Sequence, residues 1–135
     1  MNDASVKDVF LASLSRCTQW TGFIPAFYDR FLASSDDVRA RFRNTDFDRQ
    51  NRMLLRSLEL AAAATAGEPE GLREIRERAA THDRFHLDIR PPLYDLWLSA
   101  IVRTARDFDG EWNDDVEKAW WRILGLVVQF MIRRY

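Results

Sequence analysis

Cysteine occurs once in this sequence, at Cys17. A lone cysteine forms no disulfide within the chain, and its neighbours put it on an apolar helical face rather than beside a catalytic base; a reducing cytoplasm suits it. An excess of one charge is also missing. Lys and Arg number 20 against 21 Asp and Glu, for a formal net charge of −1, and the two signs mix, as from Glu70 to Glu77 and from Arg103 to Glu111. A nucleic-acid surface needs a basic surplus on one face, so nucleic acid is not an expected partner. No hydrophobic run is long enough for a membrane: the longest, Ile123 to Ile132, is about half of what spans a bilayer. Met1-Asn2-Asp3-Ala4 opens no export signal, and the expectation is a cytoplasmic protein with no membrane partner. The sequence also lacks a phosphate-cradling glycine loop, a dinucleotide fingerprint, a nucleophile-elbow serine and an HExxH motif, which removes the ordinary hydrolase and transferase readings.

What is present is apolar volume. The 135 residues are 47% hydrophobic and 13% aromatic, with 5 Trp and 9 Phe, enough for a core and for the walls of a large ligand pocket. The length predicts one domain over 1–135. Val6, Phe10, Leu14 and Cys17 recur at helical spacing behind a cap at Asp3 or Ser5. Phe23, Ile24, Phe27, Tyr28 and Phe31 make an unusually aromatic face on a second helix from about Thr21 to Ala33. Ser34-Ser35-Asp36-Asp37 caps a short helix through Phe42, and Asn44-Thr45-Asp46 restarts the pattern for a helix from Phe47 to about Ala66. The alanines of that helix keep one face thin, so that another helix or a flat cofactor can approach closely. Gly67-Glu68-Pro69 is a stop followed by a start, as is Pro91-Pro92. The next-to-last helix, from Leu93 to Thr104, is apolar on two faces and reads as central. Asp114 and Glu117 suggest a capping box for a final helix whose stripe runs from Val116 to Met131. No alternating strand pattern is visible, and the class is all-α with about six to eight helices.

The remaining candidate for chemistry is a pair of histidines. Leu72, Ile75, Ala79, His82 and His86 are spaced 3, 4, 3 and 4, which predicts one helix with both imidazoles on its inner stripe. Three readings stand at this point. Both are satisfied core or boundary histidines; or they share a zinc ion, although no third or fourth ligand is at hand; or one holds a haem iron, which needs one imidazole and a wide apolar pocket.

The order and spacing of several pieces bear on that choice. Phe27-Tyr28-Asp29-Arg30-Phe31, Val38-Arg39-Ala40-Arg41-Phe42, Gln50 with Leu54, Ile89-Arg90-Pro91-Pro92-Leu93-Tyr94, and Ala119-Trp120 together resemble the pattern of bacterial single-domain haemoglobins and of the globin portion of flavohaemoglobins, from about residue 6 to the end. The resemblance implies a globin fold around haem b. It implies that Phe42 packs on the porphyrin, that Tyr28 projects into the distal side beside Gln50 and Leu54, and that Tyr94 sits near the ligand imidazole. Trp97 then touches the haem edge or fills the core. In flavohaemoglobins the ligand histidine stands ten residues before the position of Tyr94, which here is Arg84, a residue that cannot bind iron. The likeness to the bacterial single-domain subgroup places the ligand at His82, with His86 as a second-shell donor, propionate partner or alternative ligand. The glutamate that completes the proximal group of flavohaemoglobins falls beyond Tyr135.

The implied function is reversible binding of oxygen, nitric oxide or carbon monoxide, for oxygen storage or, with an external reductase, nitric oxide detoxification as a dioxygenase. The alternatives are a gas sensor acting through a signalling partner and a globin-like interaction module without haem.

Overall fold

The computed structural model describes residues 3–135, with side chains from Val6 onward; the Asp3 or Ser5 cap lies outside the described side chains. Among the described residues there are seven α-helices and no strands: α1 (Asp3–Thr18), α2 (Phe23–Ala33), α3 (Asp36–Arg41), α4 (Phe47–Thr65), α5 (Pro69–His82), α6 (Pro91–Phe108) and α7 (Asp114–Arg133).

The helices begin where short polar side chains can satisfy the free backbone N–H groups of a first turn. Ser35 Oγ accepts from Val38 N at 3.0 Å to open α3. The Asp46 carboxylate accepts from Asp48 N and Arg49 N at 3.1 and 3.3 Å to open α4. At α7 the cap is Asn113, which accepts from Val116 N at 2.9 Å. It lies one residue before the expected capping box, and Glu117 instead takes the indole N–H of Trp112 at 3.4 Å. Prolines stand in the first turns of α5 and α6, where a missing N–H costs nothing. Gly67, at φ +77, supplies the left-handed residue that ends α4.

α6 is the central helix, as its two apolar faces predict. It buries Leu93, Tyr94, Leu98, Ala100, Ile101, Val102, Thr104 and Ala105 and packs on α1, α2 and α7. The thin face of α4 receives α5: a Cβ placed on Gly71 would lie 2.2 Å from Ala64 N and 2.6 Å from Ala63 C. The two backbones are therefore nearly in contact at the start of α5.

A buried polar knot ties α1 to the ends of α6 and α7. The Asp109 carboxylate accepts from Ser13 Oγ at 2.6 Å, from Arg16 Nε and Nη2 at 2.6 and 3.0 Å, and from Glu111 N at 2.8 Å. Trp120 Nε1 donates to Ser13 Oγ at 2.9 Å. These bonds together outweigh burial and hold the Asp109 carboxyl below its ordinary range.

Candidate functional site

A mostly apolar cavity of about 540 Å³ opens among α2, α4, α5, α6 and α7. That volume falls within the range of ligand and cofactor pockets, roughly 300–1,000 Å³.

One end is an aromatic box. The Tyr28 ring meets Phe42 and Phe47 edge-on at 5.7 and 5.4 Å between centroids, and Phe42 stacks on Phe47 at 6.1 Å. Tyr28 is buried because it belongs to the inner face of α2 with Phe23, Phe27 and Phe31. Burial pushes its hydroxyl up to about 12, against an opposing hydrogen bond with Gln50. The phenol is therefore protonated at any ordinary pH, with its oxygen already paired with the amide that α4 presents in its first turn. Leu54, one turn further along α4, is buried beside them on the same wall.

A second wall carries His82 on the last turn of α5. The imidazole is half-buried and lines the cavity. Burial holds it below the usual histidine value; a hydrogen bond with the Arg78 carbonyl opposes that, and the Arg78 charge reinforces it. Thr81 Oγ1 lies 3.0 Å from Nδ1. The neutral ring is thus held on one side by its own helix. Tyr94 and Trp97 enter from α6; burial raises the Tyr94 hydroxyl to about 12, and Trp97 also meets Phe27 edge-on at 6.1 Å.

Tyr28, Phe42, Gln50, Leu54, His82, Tyr94 and Trp97 therefore line one cavity. His86 stands apart, and the single helix expected to carry both histidines is a point of correction. α5 ends at His82 because Asp83 turns extended at ψ 174. The Asp83 carboxylate then accepts from Phe85 N at 3.0 Å and pairs with His86 Nδ1 at 2.7 Å, leaving the His86 side chain 61% exposed. The turn is fastened from outside as well. Arg84 N and Nε donate to Tyr135 O at 3.3 and 3.0 Å, the Tyr135 hydroxyl donates to Asp88, and Arg41 Nη1 donates to Leu87 O at 2.8 Å. Asp88 adopts a left-handed φ of 52 within it, a conformation that Asp tolerates better than most residues.

Sequence reasoning missed the polar residues of the α4–α5 seam. Ser57 Oγ donates to Glu74 Oε2 at 2.7 Å, and Arg78 Nε lies 3.1 Å from the same oxygen. The signal was present: Glu74, Arg78 and His82 repeat every fourth residue and so share a stripe of α5.

No protein-family model and no curated protein matches the chain. Its structure is similar to the crystal structure of a protein from Pseudomonas aeruginosa PAO1 described as structurally highly homologous to a human hemoglobin. The two are 33% identical, with a TM-score of 0.91, over 96% of this chain and 98% of the other.

Proposed function

The chain belongs to the globin family, and from that premise we propose that its cavity takes haem b, with His82 as the iron ligand and with Tyr28 and Gln50 facing a small gaseous ligand: oxygen, nitric oxide or carbon monoxide. His82 is the observation that carries the reading. A histidine must be neutral to bind a metal, and a ligating imidazole is oriented by a hydrogen bond from its other ring nitrogen, commonly to a backbone carbonyl. Burial favours the first condition here, and Thr81 Oγ1, 3.0 Å from Nδ1 and itself bonded to the Arg78 carbonyl, supports the second.

The donor set also fits the group. Haem needs one imidazole and a wide apolar slot. A closed zinc site needs four ligands, and among the described residues no three His, Cys, Asp or Glu gather where a metal ion would require them. When bound, haem would supply an iron coordination position open to a diatomic gas.

The chain's own residues account for the rest of the proposed activity. Phe42 and Leu54 keep water from the Tyr28 side of the cavity, and Tyr94 and Trp97 fill the α6 wall. The Tyr28 hydroxyl and the Gln50 amide offer hydrogen bonds to a ligand that gains partial negative charge. Each such bond contributes about 1.5–3 kcal/mol. Two donors on one ligand favour slow release, which suits storage or, with electrons returned by an external reductase, removal of nitric oxide better than rapid delivery.

The test is reconstitution. The haem-free chain mixed with an equivalent of ferric haem should develop a strong Soret band that travels with the protein through gel filtration. A chain that emerges colourless and still folded would overturn the reading.

A further inference from the structure

Resting on the haem reading, we infer that Arg78 is the cation that pairs with a carboxylate at the edge of the porphyrin, across the seam between α4 and α5. Arg78 lines the cavity with its side chain 25% exposed, which puts it at the boundary with solvent. Its guanidinium is poorly partnered for so enclosed a group. Nη1 points at the Met53 sulfur, 2.7 Å away, and a thioether is a weak acceptor. Nε is buried without a hydrogen-bond partner, although Glu74 Oε2 is near, and Nη2 is 3.7 Å from Glu77 Oε2. A planar fork with five N–H donors, held at a cavity wall with only part of its capacity used, matches a carboxylate.

The position matches as well. Arg78 is one helical turn before His82 on α5, and Met53 is one turn after Gln50 on α4. The guanidinium thus bridges the wall that carries the proposed iron ligand and the wall that carries the proposed gas-facing amide. A flat macrocycle held between those walls would present its edge there, and protoporphyrin carries two carboxylates at its edge. The other cation of the cavity lining is Arg41. It is already committed, with Nε 3.2 Å from Asp37 Oδ1 and Nη1 2.8 Å from the Leu87 carbonyl. Glu74 is the one carboxylate among the described lining residues, and Ser57 Oγ and Arg56 also engage it, at 2.7 and 3.7 Å. It retains partners when Arg78 serves the cofactor.

The experiment compares rates of haem loss to an excess of a haem-scavenging protein, for the full chain reconstituted with iron protoporphyrin or with its dimethyl ester, in which both carboxylates are blocked. Arg78→Gln should lose the free-acid haem about ten- to a hundredfold faster than the wild type. Arg78→Lys, which keeps the charge without the fork, should fall between them. With the dimethyl ester, wild type and Arg78→Gln should release at the same rate. An Arg78→Gln variant that loses both porphyrins with the same acceleration would make Arg78 a structural partner of Glu74 and overturn the inference. A wild type that holds diester and free acid equally well would overturn it without any variant, while the haem reading survived. A wild type that binds neither porphyrin would remove both.

Discussion

Replacing Tyr28 by Phe removes one oxygen from the aromatic box and leaves its shape in place. The side chain is 4% exposed and its ring packs on Phe42 and Phe47, contacts that Phe retains. What is lost is the hydroxyl whose oxygen is paired with Gln50. In the haem-free chain the loss is small, about 0.5–1.5 kcal/mol for an ordinary hydrogen bond, because half-buried Gln50 can turn to solvent. In the proposed haem-loaded form the same hydroxyl would face a partly anionic ligand, where a hydrogen bond contributes about 1.5–3 kcal/mol, or roughly one to two decades in rate. Oxygen dissociation, followed by stopped-flow absorbance, should therefore accelerate by about tenfold or more in Tyr28→Phe. Gln50→Leu should give a smaller acceleration, and the double variant should fall short of the product of the two, since the groups hold each other. With the phenol pushed up to about 12, the wild-type rate should stay flat between about pH 7 and 10. A Tyr28→Phe rate equal to wild type, with the fold intact, would refute the placement of this donor.

Three further outcomes follow from the packing. Gly71→Ala forces a methyl into the Ala63–Ala64 backbone and should cost about 1–3 kcal/mol, read from the urea midpoint; an unchanged midpoint would mean that α4 and α5 separate freely. Asp109→Asn removes the charge that gathers Ser13, Arg16 and the Glu111 amide. It should cost about 3 kcal/mol, at the lower end for a broken buried pair because Arg16 keeps access to water. The folded Asp109 pKa is depressed, so this stabilisation is present above the unfolded value of about 4 and is lost as pH falls through the folded one. Denaturation at acid pH should bring wild type and variant together, and a gap that persists there would contradict the assignment. The folded His82 pKa is likewise lowered, so its contribution is complete above about pH 6.5 and is lost on acidification towards the folded value. The haem-free wild type should therefore lose stability relative to His82→Gln as pH drops, and a difference that ignores pH would show that the imidazole is not buried.

Helix order was legible because its punctuation is local. Ser35, Asp46, Pro69 and Pro91 act within a turn or two of themselves, and short polar or cyclic residues carry that information in any context. The aromatic face of α2 and the two apolar faces of α6 likewise place Tyr28, Tyr94 and Trp97 toward the interior. The end of α5 was not legible. The helical period runs on through His86, and what breaks it is an Asp83 turn fastened by Tyr135 and Arg41, residues remote in sequence. The near-contact of Gly71 with Ala63 and Ala64 was half legible: the small residues announced a close approach but not whether a helix or a cofactor would make it. Arg78 was not legible, because an arginine inside a mixed-charge stretch reads as solvated, and only the unused donors of its fork set it apart in three dimensions.

The proposed haem site depends on the His82 imidazole holding the iron. Haem retention should be measured by the Soret absorbance that survives gel filtration, for His82→Ala and His86→Ala separately, with and without added free imidazole. His82→Ala should shed haem and regain it when imidazole fills the gap, while His86→Ala, which removes an exposed ring bound to Asp83, should keep haem as the wild type does. Loss confined to His86→Ala would contradict the assignment of His82.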